Sequence, residues 1–344
     1  GADILLDEAS AVVNAIQHFV PDQGLKYRDI AVFYRTHSQS RVIEEELLAK
    51  NIPYAVIGGV GFYGRKQIKD IVAYLRVIAS PDDTLSLLRI INLPPRRIGK
   101  ATLDKLAAAS RKRGLRLYEM AKNADSLKEI SSAARKSLSS FVEMMQEFRE
   151  KAQSVPVPLL TEEIIARIGY DKMLEKDFPE DAEDRIDNLR ELKDTMWSFL
   201  EDNPDAGLDD FLQRTSLLTD IDTWKDEKNT VSLMTVHNSK GLEFESVIIV
   251  GLEEGIFPHI NSLDDPAKLE EERRLCYVGA TRAKKFLYLT AAESRMRYGF
   301  WQDNEQSRFI WELLGDEGDW EDEDPYPEKP THTKNQPPRR KKRS

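Results

Sequence analysis

The segment 235–244 carries a threonine, a histidine, a lysine, a glycine and a glutamate in the order T-V-H-N-S-K-G-L-E-F. Short apolar runs, Val231–Met234 and Val247–Val250, flank it on both sides, and such runs are typical of buried parallel strands. In open α/β sheets, the loops at the carboxyl ends of strands carry the ligand sites. An ordinary polar strand connection is the alternative, but the order of these residues is too specific for it. We therefore interpret the segment as a ligand-binding loop.

A second set of polar residues follows an earlier predicted strand, 29–34. Arg35, His37 and Ser38 lie at its carboxyl end, and Ser38 is the predicted N-cap of a helix that runs to Lys50. A basic residue and hydroxyl groups at such a turn suit a phosphate, because the free N–H groups of a helix amino terminus favour anions. The alternative for this segment is helix capping with a surface ion pair.

A third basic segment joins two predicted helices near residue 96. Arg96, Arg97 and Lys100 surround Gly99 in the sequence P-P-R-R-I-G-K. A glycine-bearing turn that opens onto a helix amino terminus can hold a phosphate of a nucleic-acid duplex. A solvated basic turn with no ligand is the alternative interpretation.

The elements around these residues predict an α/β fold with a large helical insertion. A helix over 7–19 precedes the strand 29–34, and the strand 54–57 follows the next helix, which is the order typical of a nucleotide-binding layer. Helical apolar periods then dominate from Lys66 to about Thr223, where we expect no strands. The remaining predicted elements are a strand from Val231, a strand over 247–250, a helix over 266–283 and a strand over 286–290.

Composition excludes several classes of protein. The chain has 344 residues, a formal net charge of −10 and one cysteine, so we expect no disulfide, no cysteine-rich metal site and a reducing, cytoplasmic location. No apolar run approaches the length of a membrane span. The chain contains no G-x-x-x-x-G-K-[ST] loop and no strand that ends in a magnesium-binding Asp-Glu pair. By itself it should therefore not hydrolyse ATP.

Several of these segments together resemble the motifs of superfamily 1 DNA helicases of the UvrD/PcrA/Rep type. The segment 235–244 resembles motif V, and E-E-R-R-L-C-Y-V-G-A-T-R-A at 271–283 resembles motif VI. Y-R-T-H-S-Q-S-R at 34–41, G-L-E-E-G-I-F-P at 251–258 and S-R-F at 307–309 are similar to further family segments, in the same order. The resemblance covers about residues 7–314 and matches the carboxyl-terminal half of the family.

The resemblance implies a division into domains. Residues 1–63 and 224–315 would form the second RecA-like, parallel-sheet domain of the helicase. Residues 64–223 would form an all-α domain inserted into it, which contacts duplex DNA, and residues 316–344 a disordered tail. The amino-terminal half, with the P-loop and the magnesium ligands, would be a separate partner of this chain.

The resemblance also implies roles for individual residues. Arg282 would be an arginine finger that stabilises charge on the γ-phosphoryl group of ATP, Glu243 would accept a hydrogen bond from the ribose, and Gly241 would allow close approach of the backbone. The residues assigned to DNA are Arg35, His37, Thr235 and His237 for the single strand and Arg96, Arg97, Gly99 and Lys100 for the duplex. We expect Arg282, Glu243 and Arg35 to lie at one exposed edge of the sheet.

The implied function is that of the carboxyl-terminal part of an ATP-dependent 3′-to-5′ DNA helicase in repair or replication. Its partners would be single-stranded DNA, a junction of single- and double-stranded DNA, and the P-loop half of the same enzyme, which would bind Mg²⁺ with ATP. One alternative is a non-catalytic DNA-binding or partner-docking module with degenerate helicase motifs. Another is a member of the related helicase–nuclease family whose nuclease domain lies outside the chain.

Overall fold

The computed structural model describes residues 8–221, 229–297 and 300–314. The predicted tail, 316–344, and the predicted domain boundary at 223–224 lie outside these residues.

Five parallel strands form the central sheet, and they come from the two ends of the chain. Their bounds are β1 Ile30–Tyr34, β2 Tyr54–Val56, β3 Val231–Thr235, β4 Phe244–Ile249 and β5 Ala283–Leu289. The spatial order is β2-β3-β1-β4-β5, so β3 inserts between two strands that precede it by more than 170 residues. Val32 of β1 lies in register with Leu233 of β3 on one side and Ile248 of β4 on the other. The predicted α/β fold with a parallel sheet is confirmed.

Thirteen α-helices, one antiparallel hairpin and several short 3₁₀ turns complete the described part of the chain. The helices are α1 Glu8–Asp22, α2 Ser40–Ala49, α3 Lys66–Ala79, α4 Thr84–Ile90, α5 Lys100–Arg113, α6 Leu117–Lys122, α7 Ser132–Lys151, α8 Val157–Ile168, α9 Tyr170–Asp177, α10 Ala182–Asp202, α11 Leu208–Ile221, α12 Pro266–Ala280 and α13 Arg308–Leu314. The hairpin strands are β6 Ser294–Arg297 and β7 Phe300–Asp303. All regular structure described between α3 and α11 is helical, as the apolar periods predict.

Side chains of the sheet pack alternately on its two faces, since successive residues of a strand point to opposite sides. Val32 and Ile248 pack with Ile16 of α1 and Leu47 of α2 on one face. Phe33 and Ile249 lie on the other face, in a cluster that includes Cys276 of α12 and Phe309 of α13. The helices from α3 to α11 share a third, separate cluster of buried apolar residues. Both faces of the sheet are therefore covered, as a parallel sheet requires.

Buried charges join the helical segment to the sheet. Arg41 of α2, whose side chain is 9% exposed, donates from Nε to Glu191 of α10 at 2.7 Å and from Nη1 to Glu45 at 3.2 Å. Glu45 also accepts from Tyr63 at 3.0 Å and from Arg214 of α11 at 3.2 Å. Burial would lower the pKa of Arg41, but the two carboxylates outweigh it and hold that pKa above its usual value. The interface between α2, α10 and α11 therefore depends on two guanidinium groups, that of Arg41 toward α10 and that of Arg214 toward α2.

Two local predictions differ from the structure. Ser38 is not the N-cap of α2, because a 3₁₀ turn over His37–Gln39 precedes the helix and the helix begins at Ser40. The Gln39 side chain organises this turn, with Oε1 accepting from the backbone N–H groups of Arg35 at 3.0 Å and Thr36 at 2.9 Å. In addition, α12 ends at Ala280 and β5 begins at Ala283, so the last strand of the sheet starts three residues earlier than predicted.

Replacing Arg41 by alanine is expected to destabilise the chain by roughly 3 kcal/mol, because it leaves the carboxylate of Glu191 without its guanidinium partner and Glu45 with only Tyr63 and Arg214. Chemical denaturation of both proteins measures the difference. Arg190→Ala is the matched control on α10, since its pair with Asp187 is 46% and 22% exposed and is worth at most about 1 kcal/mol. Equal, small losses of unfolding free energy in the two variants would contradict this account of the interface.

Candidate functional site

Four residues predicted to bind a nucleic-acid strand come together at the carboxyl ends of β1 and β3. Thr235, the last residue of β3, lies in register with Tyr34, the last residue of β1, so Arg35 and Val236 leave the sheet side by side. A Cβ placed on Gly59 would lie 3.6 Å from the ring of His37, so the loop after β2 borders the same site. The charge of Arg35 contributes to the lowered pKa of His237.

Arg35 is held by a carboxylate that the sequence did not assign to the site. Its Nε donates to Glu272 Oε2 at 2.9 Å and to Oε1 at 3.0 Å, and its Nη2 donates to Oε1 at 2.7 Å. The backbone N–H of His259 donates to the same carboxylate at 3.1 Å. Burial alone would raise the pKa of Glu272, but the hydrogen bonds and charge of Arg35 outweigh it and hold the pKa below its usual range. Glu272 is therefore ionised at pH 7.

Both histidines of this site are neutral at pH 7. Burial lowers the pKa of His37 and of His237 below the usual value, and the nearby charges of Arg65 and Arg35, respectively, lower them further. A neutral imidazole offers one N–H donor and one acceptor. The site thus presents one guanidinium and two neutral rings at one end of the sheet, whereas Thr235 is buried there, at 7% exposed.

A second site lies at the amino ends of β4 and β5. Arg282 directly precedes β5, and its half-buried side chain donates to the carbonyls of Val278 at 3.0 Å and Leu242 at 3.4 Å. Its backbone carbonyl accepts from Phe244, the first residue of β4, at 3.0 Å. These contacts hold the end of motif VI against the end of motif V. Among the described residues Arg282 forms no salt bridge, so its charge is held in place by neutral acceptors and remains available to an anion.

Glu243 and Gly241 border Arg282 and face open space. The side chain of Glu243 is 61% exposed and lies 3.5 Å from Lys284. Gly241 has φ +83°, a left-handed conformation that favours glycine, and a Cβ built on it meets no atom within 4 Å. The arrangement of one guanidinium, one exposed carboxylate and an unobstructed backbone can bind a phosphorylated ligand that carries hydroxyl groups.

The prediction that Arg35, Arg282 and Glu243 share one edge of the sheet is wrong. Arg35 follows the carboxyl end of β1, whereas Glu243 and Arg282 precede the amino ends of β4 and β5. The reason is the crossover 236–243, which returns along the sheet between β3 and β4. Thr235 and Ser246 lie in register with Tyr34 and Ile30, four residues apart on β1 or about 13 Å. Thr235 and His237 therefore belong to one end, and Gly241 and Glu243 to the other.

The basic turn before α5 separates into an inward and an outward part. Arg96 donates from Nη1 to the carbonyls of Ile90 at 2.9 Å and Leu93 at 2.8 Å, and its guanidinium stacks over Phe141 at 5.4 Å. Arg97, Gly99 and Lys100 are exposed.

Arg97 occupies the left-handed region at φ +62°, which residues other than glycine rarely adopt. The three exposed residues lie at or just before the amino terminus of α5.

The hairpin β6–β7 was not predicted from the sequence. Two exposed aromatic residues lie on β7: Phe300 is 73% exposed and Trp301 is 63% exposed. Arg295 of β6 fixes the base of the hairpin, because its buried guanidinium donates to Glu253 Oε2 at 2.8 Å and also contacts Glu8 of α1. The available sequence signal was two short segments around the dipeptide Tyr-Gly, a weak hairpin pattern.

Glu253 and Glu254, which follow β4, have structural contacts. Glu253 is fully buried against Arg295, and Glu254 accepts from Arg308 Nε at 3.0 Å and Nη2 at 2.8 Å. These contacts join the segment after β4 to the hairpin and to α13.

Other chemistries find no support in the described part of the chain. No group of three or more His, Cys, Asp or Glu residues there has the arrangement of a metal site. Burial raises the pKa of Cys276 to about 12, so its thiol is protonated at pH 7 and is a poor nucleophile. None of the described helices has the length and apolar character needed to cross a membrane.

Ring-proton NMR is expected to give titration midpoints below 6.5 for His37 and His237, with His37→Asn assigning one resonance and serving as its control. Because these pKa values are lower in the folded than in the unfolded chain, the neutral rings stabilise the fold above pH 6.5. That contribution is lost as the pH falls through the lowered folded-state pKa values. Midpoints at or above 6.5 for both rings would contradict the lowered pKa values.

Comparison with known proteins places the chain among helicases. A family model described as the UvrD-like helicase C-terminal domain matches residues 2–294. The ATP-dependent DNA helicase PcrA of Bacillus subtilis (strain 168) is 42% identical over 297 residues, which are 85% of this chain and 40% of that protein. PcrA of Staphylococcus epidermidis (strain RP62A) is 39% identical over 314 residues, 90% of this chain and 43% of that protein. PcrA of Staphylococcus aureus (strain Mu50) is 38% identical over 311 residues, 89% of this chain and 42% of that protein.

The chain spans less than half the length of these relatives and is homologous to their carboxyl-terminal part. The order of the motif-V and motif-VI segments and the parallel sheet that carries them agree with this result. The chain belongs to the family of UvrD-like helicase C-terminal domains.

Proposed function

We propose that the chain is one side of an ATP-dependent 3′-to-5′ DNA helicase that acts in repair or replication. The observation that carries the proposal is Arg282, a guanidinium bonded only to neutral acceptors at an edge where motifs V and VI meet. Such a group can stabilise the charge of a phosphoryl group in transfer. The described residues supply no phosphate-binding loop, so the other side of the nucleotide site must come from the amino-terminal part of the enzyme.

In this proposal ATP is the substrate bound between the two parts. Arg282 contacts the γ-phosphate, Glu243 accepts a hydrogen bond from the ribose, and the backbone at Gly241 lies close to the nucleotide. The described residues offer no donor set for Mg²⁺, and we assign the metal ligands to the amino-terminal part. The isolated chain is then expected to be inactive as an ATPase.

The carboxyl ends of β1 and β3 form the proposed site for single-stranded DNA. Arg35 would contact a backbone phosphate, while Thr235, His37 and His237 would supply neutral hydrogen-bonding groups. Contacts of this kind give binding that tolerates any sequence and weakens with salt.

The hairpin and the basic turn extend the proposed DNA site toward a junction. The contact of Arg295 with Glu253, which follows β4, places the base of the hairpin at the same end of the sheet as Arg35. Phe300 and Trp301 then offer faces on which bases can stack. Arg97, Gly99 and Lys100 would hold duplex phosphates at the amino terminus of α5. Arg96 would first have to release its carbonyl partners, so the duplex contact centres on the other three residues.

The proposed domains follow the cores. Residues 1–63 and 224–315 would form the second RecA-like domain, and residues 64–223 the inserted domain that carries the duplex contact. The separate apolar cluster of the helical segment supports this division. The single cysteine is free and buried, which suits a reducing compartment, and the proposed location is the cytoplasm.

In the complete enzyme, Arg282→Ala is expected to lower the rate constant of DNA-stimulated ATP hydrolysis by about 10³-fold or more, because the charge that faces the phosphoryl group is removed. Arg274→Ala is the matched control, since this arginine of the same motif is 71% exposed and pairs with Glu271 on the surface. Steady-state assays of ATP hydrolysis with saturating oligonucleotide measure the rate constants of both variants. Activity of the Arg282 variant near that of the control would refute the assigned role.

Phe300→Ala is expected to raise the dissociation constant for a junction of single- and double-stranded DNA by about 5- to 150-fold, the range for loss of one stacked base. Fluorescence anisotropy with a labelled junction measures it. Trp311→Ala removes another exposed aromatic residue, 43% exposed on α13, and should change the constant less than twofold. If the Phe300 variant binds the junction with wild-type affinity, the hairpin is not part of the DNA site.

A further inference from the structure

We propose that Glu272 of α12 is the positioning residue for the DNA contact of Arg35: its carboxylate fixes the guanidinium so that the opposite edge faces a backbone phosphate. The inference rests on the proposed function of Arg35. It adds a residue from motif VI, the segment otherwise concerned with the nucleotide, to the machinery that binds the single strand.

Glu272 has the rigidity that a positioning residue needs. Its side chain is 6% exposed, and its carboxylate receives the guanidinium through three contacts of 2.7 to 3.0 Å. The backbone N–H of His259 fixes the carboxylate from another side at 3.1 Å. A rotation of the carboxylate would break several of these bonds together, so Arg35 has a single preferred orientation.

The geometry leaves one edge of Arg35 for a ligand. Glu272 occupies Nε and one side of Nη2, and no described residue accepts a hydrogen bond from Nη1. The Arg35 side chain remains 21% exposed, so this edge can reach solvent. A guanidinium presents its donors in a planar fork that suits phosphate oxygens. The pair is thus arranged so that the guanidinium binds the carboxylate on one edge and a phosphate on the other.

Positioning and simple charge repulsion predict opposite changes in DNA affinity when the carboxylate of Glu272 is removed. A negative charge beside a phosphate site opposes DNA, so Glu272→Gln should strengthen binding if charge were its only effect. If Glu272 positions Arg35, the same substitution releases the guanidinium and weakens binding. Glu272→Asp distinguishes the two explanations further, because it keeps the negative charge and shortens the side chain by one methylene.

The test uses the complete enzyme and a fluorescein-labelled oligo(dT) in anisotropy titrations at several salt concentrations. Arg35→Ala measures the loss of DNA affinity that comes from the phosphate contact. It should reduce the slope of the logarithm of the binding constant against the logarithm of the salt concentration by about 0.7 in magnitude. Glu272→Gln and Glu272→Asp are both expected to weaken binding about three- to tenfold, within the range of a lost hydrogen bond. They should have no further effect when combined with Arg35→Ala. Glu271→Gln is the matched control, since its side chain is 72% exposed on the same helix, and it should not weaken binding.

Tighter or unchanged binding by Glu272→Gln, with Arg35→Ala weakened, would overturn the positioning role and leave the DNA site intact. An additive loss in the double variant would also overturn it, because Glu272 would then act independently of Arg35. If Arg35→Ala itself binds like the wild type, the proposed DNA site fails, and that result is distinct from the first two. Thermal unfolding of each variant identifies any loss of affinity that comes from loss of the fold.

Discussion

The two ends of one parallel sheet hold different sites, and this separation is the constraint on which the rest of the structure depends. Because all five strands run the same way, residues that follow strands collect at one end and residues that precede them at the other. Two segments run the length of the sheet and reach both ends. The crossover 236–243 carries His237 at one end and Glu243 at the other, and α12 carries Glu272 near Arg35 and leads into Arg282. Motifs V and VI are thus physical connections between the sites.

The partners of each arginine separate the structural guanidinium groups from those available to a ligand. Arg41 is buried, Arg295 is 19% exposed, and each contacts two carboxylates, so their charges are already compensated within the fold. Arg282 is held by backbone carbonyls and a hydroxyl, which orient it without neutralising it. Arg35 lies between these cases, with a carboxylate on one edge and solvent on the other. In proteins of this kind, burial and the type of acceptor are better guides to function than the presence of an arginine.

Much of the fold could be predicted because its determinants are local. Apolar runs such as Val247–Val250 mark buried strands, and helical periods identify the segment between α3 and α11. Residue order predicts the candidate site residues, but it does not predict their separation, because the interpretation of motif V as a single loop places all of its residues together. Counting the eight residues of the crossover against the length of a strand would have placed Glu243 at the opposite end from Thr235.

The remaining differences between prediction and structure arise where contacts between residues distant in sequence determine the conformation. Nothing in the charged run 270–274 distinguishes Glu272, which is buried against Arg35, from Glu271, which is exposed. The inward orientation of Arg96 depends on Tyr74 and Phe141, which are distant in sequence. The hairpin β6–β7 is short, and its base depends on a buried contact between Arg295 and Glu8, 287 residues apart. Such features follow from the assembled fold and carry no periodic signal.

Hydrogen–deuterium exchange of the complete enzyme tests the two-ended arrangement most directly. With oligo(dT) alone, slower exchange is expected at amides 35–39 and 235–239. A non-hydrolysable ATP analogue alone should instead protect 241–244 and 279–284. Protection of the same end of the sheet by both ligands, or of 241–244 and 279–284 by DNA in the absence of nucleotide, would contradict the account.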